Sequence, residues 1–353
     1  MKAITIGLDI AKNVMQVHGV DAAGAVVERK RLSRAKLLDF FQGAAPCLVG
    51  IEACGSAHHW ARQIAGFGHD VRLIPPVYVK PYVKRSKTDA ADAAAICEAV
   101  GRPHMRFVPV KSEETQALAL VYKTRSLLVA QRTALSNSIR AHLAEFGIVA
   151  AQGPAGLAAL TQVALGQDPR LPALAREGLA CLAGTIDATQ LQIDKLDARI
   201  AAVVKGDKNC RALQAVPGIG PVAAGTLVAL SGDLARFASG RDFAAWPGLT
   251  PRQNSSGDKT RLGKITKAGD KGLRTLLVLG AMAVIRHTRG NPAKGIAAKA
   301  SAGAASAWLT GLLARRPPLV AAVALAAKTA RIVWAMLTRG EAYRAPGTPA
   351  AAV

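Results

Sequence analysis

The sequence predicts an α/β domain with a mixed sheet followed by mainly helical regions, and three observations point there. Residues 3–31 hold three short runs that alternate apolar and polar side chains, "AITIGLDI", "VMQVHGV" and "AVVERKRL", which is the period of a half-buried strand. Residues 47–100 then follow a β-α-β-α order, and from about 112 the apolar spacing becomes helical.

Taken in order, the first three strands form a meander in which "DAAG" supplies the second turn. "CLVGIEA" is a fourth strand, apolar throughout, of the kind buried in a sheet covered on both faces. "AHHWARQIAGFG" is a helix ending at glycine, and "HDVRLI" is a fifth strand. "KTDAADAAAICEAV" is a helix that either Thr88 or Asp89 caps. No GxGxxG follows the first strand, which excludes a dinucleotide-binding fold. These elements make a domain of residues 1–108.

Residues 109–206 read as a helical dimerisation region. Leu182, Ile186, Ile193, Leu196, Ile200 and Val203 form a heptad stripe interrupted only by Thr189. Such a stripe must be buried against another helix, either in a two-helix arm that dimerises the chain or in a bundle closed within one subunit. "AAQGPAGLAALTQVALGQDPRLP" connects these helices through a shorter one.

A third region spans 207–345. "LQAVPGIGPVAAGTLVAL" reads as helix-hairpin-helix with its turn at Pro217–Gly220. Gly218 and Gly220 either let backbone N–H groups converge on a phosphate at the start of the next helix or simply close a tight turn. Next comes "WPGLTPRQNSSGDKTRLGKITKAGDKGLR", with seven Lys/Arg, two Asp and two adjacent serines. The helix "LRTLLVLGAMAVIRH", an Ala/Gly/Lys-rich stretch at 287–306 and a last helix at 318–338 complete the region, and residues 346–353 read as a disordered tail.

Charge narrows the partners. The chain carries 46 Lys+Arg against 23 Asp+Glu, a net +23, and residues 207–353 hold 21 of the basic and 6 of the acidic residues. A surface of this kind attracts polyanions, nucleic acid first, because each phosphate contact releases counterions. Aromatic residues make up only 4% of the chain, which favours gripping backbones over stacking on bases. The five cysteines form no CxxC pair and no zinc spacing, so they read as small buried hydrophobes in a reducing cytoplasm. Asp9 within the first apolar run argues against a signal peptide, and Lys328 and Arg331 within the last one argue against a membrane span.

Four acidic residues each interrupt an apolar element: Asp9 in the first strand, Glu52 at the end of the fourth, and Asp89 and Asp92 three apart on one helix. Singly, each reads as a cap or a solvated charge. Clustered, they would resist ionisation unless cations neutralised them. A pair of Mg²⁺ ions about 4 Å apart suits an all-carboxylate, oxygen-only donor set and activates both oxygens of a phosphate displacement.

These motifs together resemble the DEDD transposases of bridge-RNA-guided insertion sequences. The resemblance is carried by "IGLDIAKN", "GIEACGS", "KTDAADAAAI", "VPGIGPVAAGTLVAL", "FAAWPGLTPRQNSSG", "KITKAGDKGLRTLL" and "AKTARIVWAML", in that order over nearly the whole chain. It implies an N-terminal RuvC-like (RNase H-like) domain, a helical dimerisation region and a C-terminal domain with a catalytic serine. Asp9, Glu52, Asp89 and Asp92 match the metal-binding tetrad, and Ser256 matches the nucleophile, with Ser255 as the neighbouring alternative. Arg252, Lys259, Arg261, Lys264 and Lys267 would supply positive charge to the phosphate. The implied partners are donor and target DNA, a structured noncoding guide RNA and further copies of the chain, as a homodimer or homotetramer. The implied setting is the bacterial cytoplasm, at the nucleoid. Two other functions fit the residues: a metal-only RNase H-like nuclease or strand transferase with the serine loop as a clamp, and a nonenzymatic nucleic-acid-binding protein.

Overall fold

The computed structural model describes residues 2–84, 88–232, 234–289 and 305–344, so the expected tail at 346–353 and most of the stretch 287–306 lie outside the described residues. The chain divides into two compact units, 1–113 and 114–353.

The first unit holds β1 (Thr5–Ile10), β2 (Val14–Val20), β3 (Val26–Ser33), α1 (Leu37–Gly43), β4 (Leu48–Glu52), α2 (Ala57–Ala65), β5 (Asp70–Ile74), α3 (Pro76–Val79) and α4 (Asp89–Val100). The strands form one sheet in the order β3-β2-β1-β4-β5. The meander pairs antiparallel, whereas β1 with β4 and β4 with β5 are parallel. This mixed sheet is compatible with the RuvC-like expectation. Alternation along the strands separates its two faces. Ile6, Leu8, Met15, Val17, Val49 and Ile51 bury against Leu37 and Phe41 of α1 and Trp60, Ala61 and Ile64 of α2. On the opposite face α4 contributes Ala95, Ile96, Ala99 and Val100 to a second cluster with Ile74 and Val79. The fourth strand is thus covered on both sides, as its composition requires. Helix α1 has no counterpart among the sequence-based elements; it is two turns long and exists because Leu37 and Phe41, four apart, both reach the core fully buried.

The second unit contains α5 (Glu113–Ala144), α6 (Pro154–Leu165), α7 (Ala173–Gly206), α8 (Lys208–Leu213), α9 (Pro221–Ser231), α10 (Gly240–Ala245), the hairpin β6 (Pro251–Gln253) and β7 (Leu262–Ile265), α11 (Lys271–Arg289), α12 (Ala305–Arg315) and α13 (Pro318–Arg339). Regions 109–206 and 207–345 were expected as separate domains but share this unit. Ile200 and Val204 at the end of α7 pack into the same core as Ala224 and Leu227 of α9. The heptad stripe is covered within the chain: Ile186, Ile193 and Ile200 are at most 4% exposed. Ile186 meets Ile139 and Leu143 of α5 and Leu160 of α6, and Arg125 of α5 clasps Asp197 of α7 with both of its donors, one at 2.9 Å. The closed bundle therefore covers the isoleucines of the stripe, while Leu182, Leu196 and Val203 remain partly exposed. Helix α13 is long and apolar enough to cross a membrane, yet Ala321, Ala322, Ala326, Ala330 and Val333 form one face of the unit's core. Two of the five cysteines, Cys54 and Cys181, are exposed rather than buried, because one follows the end of β4 and the other lies on the outer side of α7.

Candidate active site

The four acids are grouped by the packing of one helix on one sheet. The parallel register pairs Gly7 with Gly50 and Leu8 with Ile51, so the next step along both strands sets Asp9 beside Glu52. Period-two alternation puts Asp9 on the face of Gly7 and Glu52 on the face of Gly50. That face is where α4 lies. A Cβ on Gly7 would stand 2.1 Å from the Ala93 carbonyl oxygen, and one on Gly50 would stand 2.7 Å from Val100 Cβ. Only glycine lets the helix come this close, and its approach brings the first turn of α4, with Asp89 and Asp92, to the acids at the strand ends. The pattern glycine, apolar, acid recurs as "GLD" in β1 and "GIE" in β4; it was readable in the sequence and is the signal that reading the acids alone missed.

Thr88, not Asp89, caps α4: its Oγ1 accepts a hydrogen bond from the Ala91 N–H at 3.2 Å. The capping explanation for Asp89 is thereby removed, although both acids still gain from the helix N-terminus. Asp89 is exposed, whereas Asp9, Glu52 and Asp92 are partly buried. Burial first, then the charges of Asp92, Asp89 and Glu52, push the Asp9 carboxyl up to about 6. Among the described residues, no three His, Cys, Asp or Glu side chains already stand around one metal position. The grouping is electrostatic rather than a finished cage. Its chemistry, hard oxygen donors of like charge held close together, fits a hard divalent cation.

The adjacent serines lie at the tip of the β6–β7 hairpin, and the fold treats them differently. Ser255 Oγ accepts the Arg261 N–H at 3.0 Å, bracing one strand to the other. Ser256 is exposed and its hydroxyl makes no hydrogen bond among the described residues, while its backbone bridges Lys259 across the turn formed by Gly257 and Asp258. Arg252, Lys259, Arg261, Lys264 and Lys267 are all exposed, and among the described residues none is paired with an acid. Below the hairpin, Arg274 of α11 donates to the carbonyls of Pro247 at 2.8 Å and Ala268 at 2.9 Å, closing the two ends of the loop on each other.

The two glycines between α8 and α9 also divide. Gly218, at φ 86°, packs its backbone on α11, where a Cβ would stand 2.7 Å from the Gly280 carbonyl oxygen. Gly220 is exposed and immediately precedes α9. Gly218 thus has a packing reason to be glycine, and Gly220 has the position from which a backbone N–H could meet a phosphate.

Comparison with known proteins adds independent findings. The family described as "Transposase IS116/IS110/IS902 family" matches residues 210–294, and a transposase family named DEDD_Tnp_IS110 matches residues 6–148. A "Probable family 20 transposase" of Pseudomonas aeruginosa is 50% identical over 349 residues, covering 98% of this chain and 100% of the relative. The "Putative transposase y4pF/y4sB" of Sinorhizobium fredii is 45% identical, covering 97% and 86%. The "Transposase for insertion sequence element IS1111A" of Coxiella burnetii is 40% identical, covering 98% and 92%.

Proposed function

The chain belongs to the IS110 family of transposases and is a DNA transposase of an insertion sequence; from that premise we propose that it cuts and rejoins DNA through a covalent bond to Ser256, assisted by Mg²⁺ at Asp9, Glu52, Asp89 and Asp92. The observation that carries this reading is the Asp9 carboxyl, raised by burial and by the charges of Asp92, Asp89 and Glu52 gathered around it. Stability alone does not favour such a cluster; a divalent cation would.

Each part of the chain then has a task. The four carboxylates hold the cations, which when bound supply electrophilic charge and lower the pKa of an attacking hydroxyl. Ser256 Oγ forms a bond to the scissile phosphorus as a deoxyribose oxygen leaves, and its proton is taken up as the departing strand end is protonated. Arg252, Lys259, Arg261, Lys264 and Lys267 neutralise the nonbridging oxygens, and Gly220 with Gly218 grips a neighbouring stretch of backbone. Attack by a strand hydroxyl on the phosphoserine then releases Ser256 and reseals the DNA without ATP. Supporting Ser256 over Ser255 is the hairpin itself, which engages the Ser255 hydroxyl and leaves the Ser256 hydroxyl exposed.

The dispersed positive charge and the low aromatic content of 4% also support delegated sequence reading. A structured noncoding RNA pairs with donor and target DNA and selects the sites, while the protein holds backbones. Tetrad and serine lie in different compact units and act on one phosphate in an assembly of two or four copies. The test is incubation with Mg²⁺, the element's RNA and labelled DNA, followed by denaturation. A protein–DNA adduct that Ser256→Ala abolishes supports the reading; cleavage with no adduct, or an adduct lost only in Ser255→Ala, overturns it.

A further inference from the structure

The sheet face that carries Asp9 and Glu52 continues past them. Across β1 and β2 the register pairs Asp9 with Gln16 and Gly7 with His18; across β2 and β3 it pairs Gln16 with Arg31 and His18 with Arg29. Directly paired residues project to the same face. Two rows therefore cross three strands: Asp9, Gln16, Arg31 and Gly7, His18, Arg29. With strands about 4.8 Å apart, Arg31 is rooted about 10 Å from Asp9. Gln16, His18, Arg29 and Arg31 of these rows and Ala90, Ala91 and Ala94 of α4 line a groove of about 480 Å³. The alanines keep it open, since a longer side chain at these positions would fill it.

The charges in this groove are uncommitted. Arg29 and Arg31 are exposed, and among the described residues neither meets an acid. Lys30 between them turns to the other face, where it pairs with Glu28 at 2.9 Å and lies over the Phe40 ring. Alternation along β3 has thus separated one structural cation from two that have no structural partner. Arginine forks match phosphate oxygens, and the two roots, two residues apart, are about 6.8 Å from each other along the strand.

We propose that this groove holds the backbone of the DNA strand being cut, with Arg31 and Arg29 on successive phosphates and the Gln16 amide between them and the acids. The proposal rests on reading the acidic tetrad as the cutting site. DNA is the occupant because Gln16, which lines the groove, is paired across β1 and β2 with Asp9, so a strand cut at the acids has a path along it. Arg29, Arg31 and Gln16 are positioning residues: they fix which phosphate stands over the acids.

Methylphosphonate scanning of the full chain tests this. A single neutral linkage is moved one nucleotide at a time along a labelled oligodeoxynucleotide. Binding is measured at equilibrium without divalent ions, and cleavage is measured with Mg²⁺. In the wild type, one or two linkages beside the cut should weaken binding about tenfold each, raising KM with little change in kcat. In Arg31→Ala one of those linkages should become silent, and Arg31→Lys should recover part of the effect. Equal sensitivity at every linkage in both proteins overturns the proposal, as does an Arg31-dependent linkage found only when an RNA strand is scanned in the same way. Should the tetrad reading alone fail, DNA is not cut but Arg31 remains coupled to one linkage at equilibrium, which upholds the groove. Should the groove fail, cutting persists and the coupling is missing.

Discussion

Replacing Asp9 with asparagine should stabilise the metal-free protein while abolishing strand cleavage. Burial and three neighbouring acids raise the Asp9 carboxyl from 3.8 to about 6. At ~1.4 kcal/mol per pH unit, ionising it costs the fold at most about 3 kcal/mol, and about 2 kcal/mol after discounting for its partial exposure. The sign follows from proton binding. A carboxyl with a higher pKa in the native state than in the unfolded chain holds its proton more tightly when folded, so stability falls as pH rises through the interval between the two values. The cost is absent below pH 3.8, grows up to about 6 and is complete above that. Asparagine at this position carries no charge at any of these pH values. The stability difference should therefore be largest at pH 8 and gone by pH 4. Hydrogen exchange read on peptides from β1, β4 and α4 reports this unit within the intact chain, and 2 kcal/mol corresponds to about 30-fold slower exchange in Asp9→Asn. Added Mg²⁺ should protect the wild type and leave Asp9→Asn unchanged. A variant that exchanges faster than wild type at pH 8, or a difference that does not depend on pH, would refute the claim that these carboxylates repel one another.

Three further outcomes follow from the same geometry. Gly7→Ala should cost about 1–3 kcal/mol and most of the activity although no acid is touched, because its Cβ would collide with the Ala93 carbonyl and lift α4; exchange in α4 should rise while exchange in α1 and α2 changes little. Ser255→Ala should weaken the hairpin by about 1 kcal/mol and slow the reaction several-fold, yet still give the covalent DNA adduct on a denaturing gel that Ser256→Ala lacks. Ile193→Ala should lower the stability of the second unit by about 2–5 kcal/mol in denaturant unfolding and leave the molar mass by light scattering unchanged; a shift in mass would show that the stripe joins copies instead of closing the bundle.

The parts legible in the sequence are those in which local pattern and tertiary demand agree. β1, β2, β4 and β5 were readable because their alternation or apolar run is also how they sit in the sheet, and α4 because Thr88 caps an unbroken alanine-rich run. Helix α1 was not, since two apolar side chains four apart give too little period to register. The partner of the α7 stripe was equally hidden: a heptad says that something must cover Ile186, and only the folded chain says that α5 and α6 do. At the site, the acids could be picked out singly as charges in apolar surroundings. Their meeting depends on two glycines that let a helix approach, a relation across some eighty residues of chain that no local window contains. The Gln16–Arg31 row is hidden for the same reason, because it exists only once strand register is fixed.

The β6–β7 hairpin is exposed along nearly its whole length, and it is anchored at its base, where Leu249 is buried and Arg274 ties Pro247 to Ala268. It behaves as a boom on a fixed mount. Residues inserted at Gly257–Asp258, with Ser255, Ser256 and Lys259 kept, would not draw on the hydrophobic interior, so they would alter reach and target geometry while thermal tolerance stays where α9, α11 and α13 set it. For anyone redesigning such an enzyme, the proposed nucleophile is carried on a segment that lies outside the hydrophobic core.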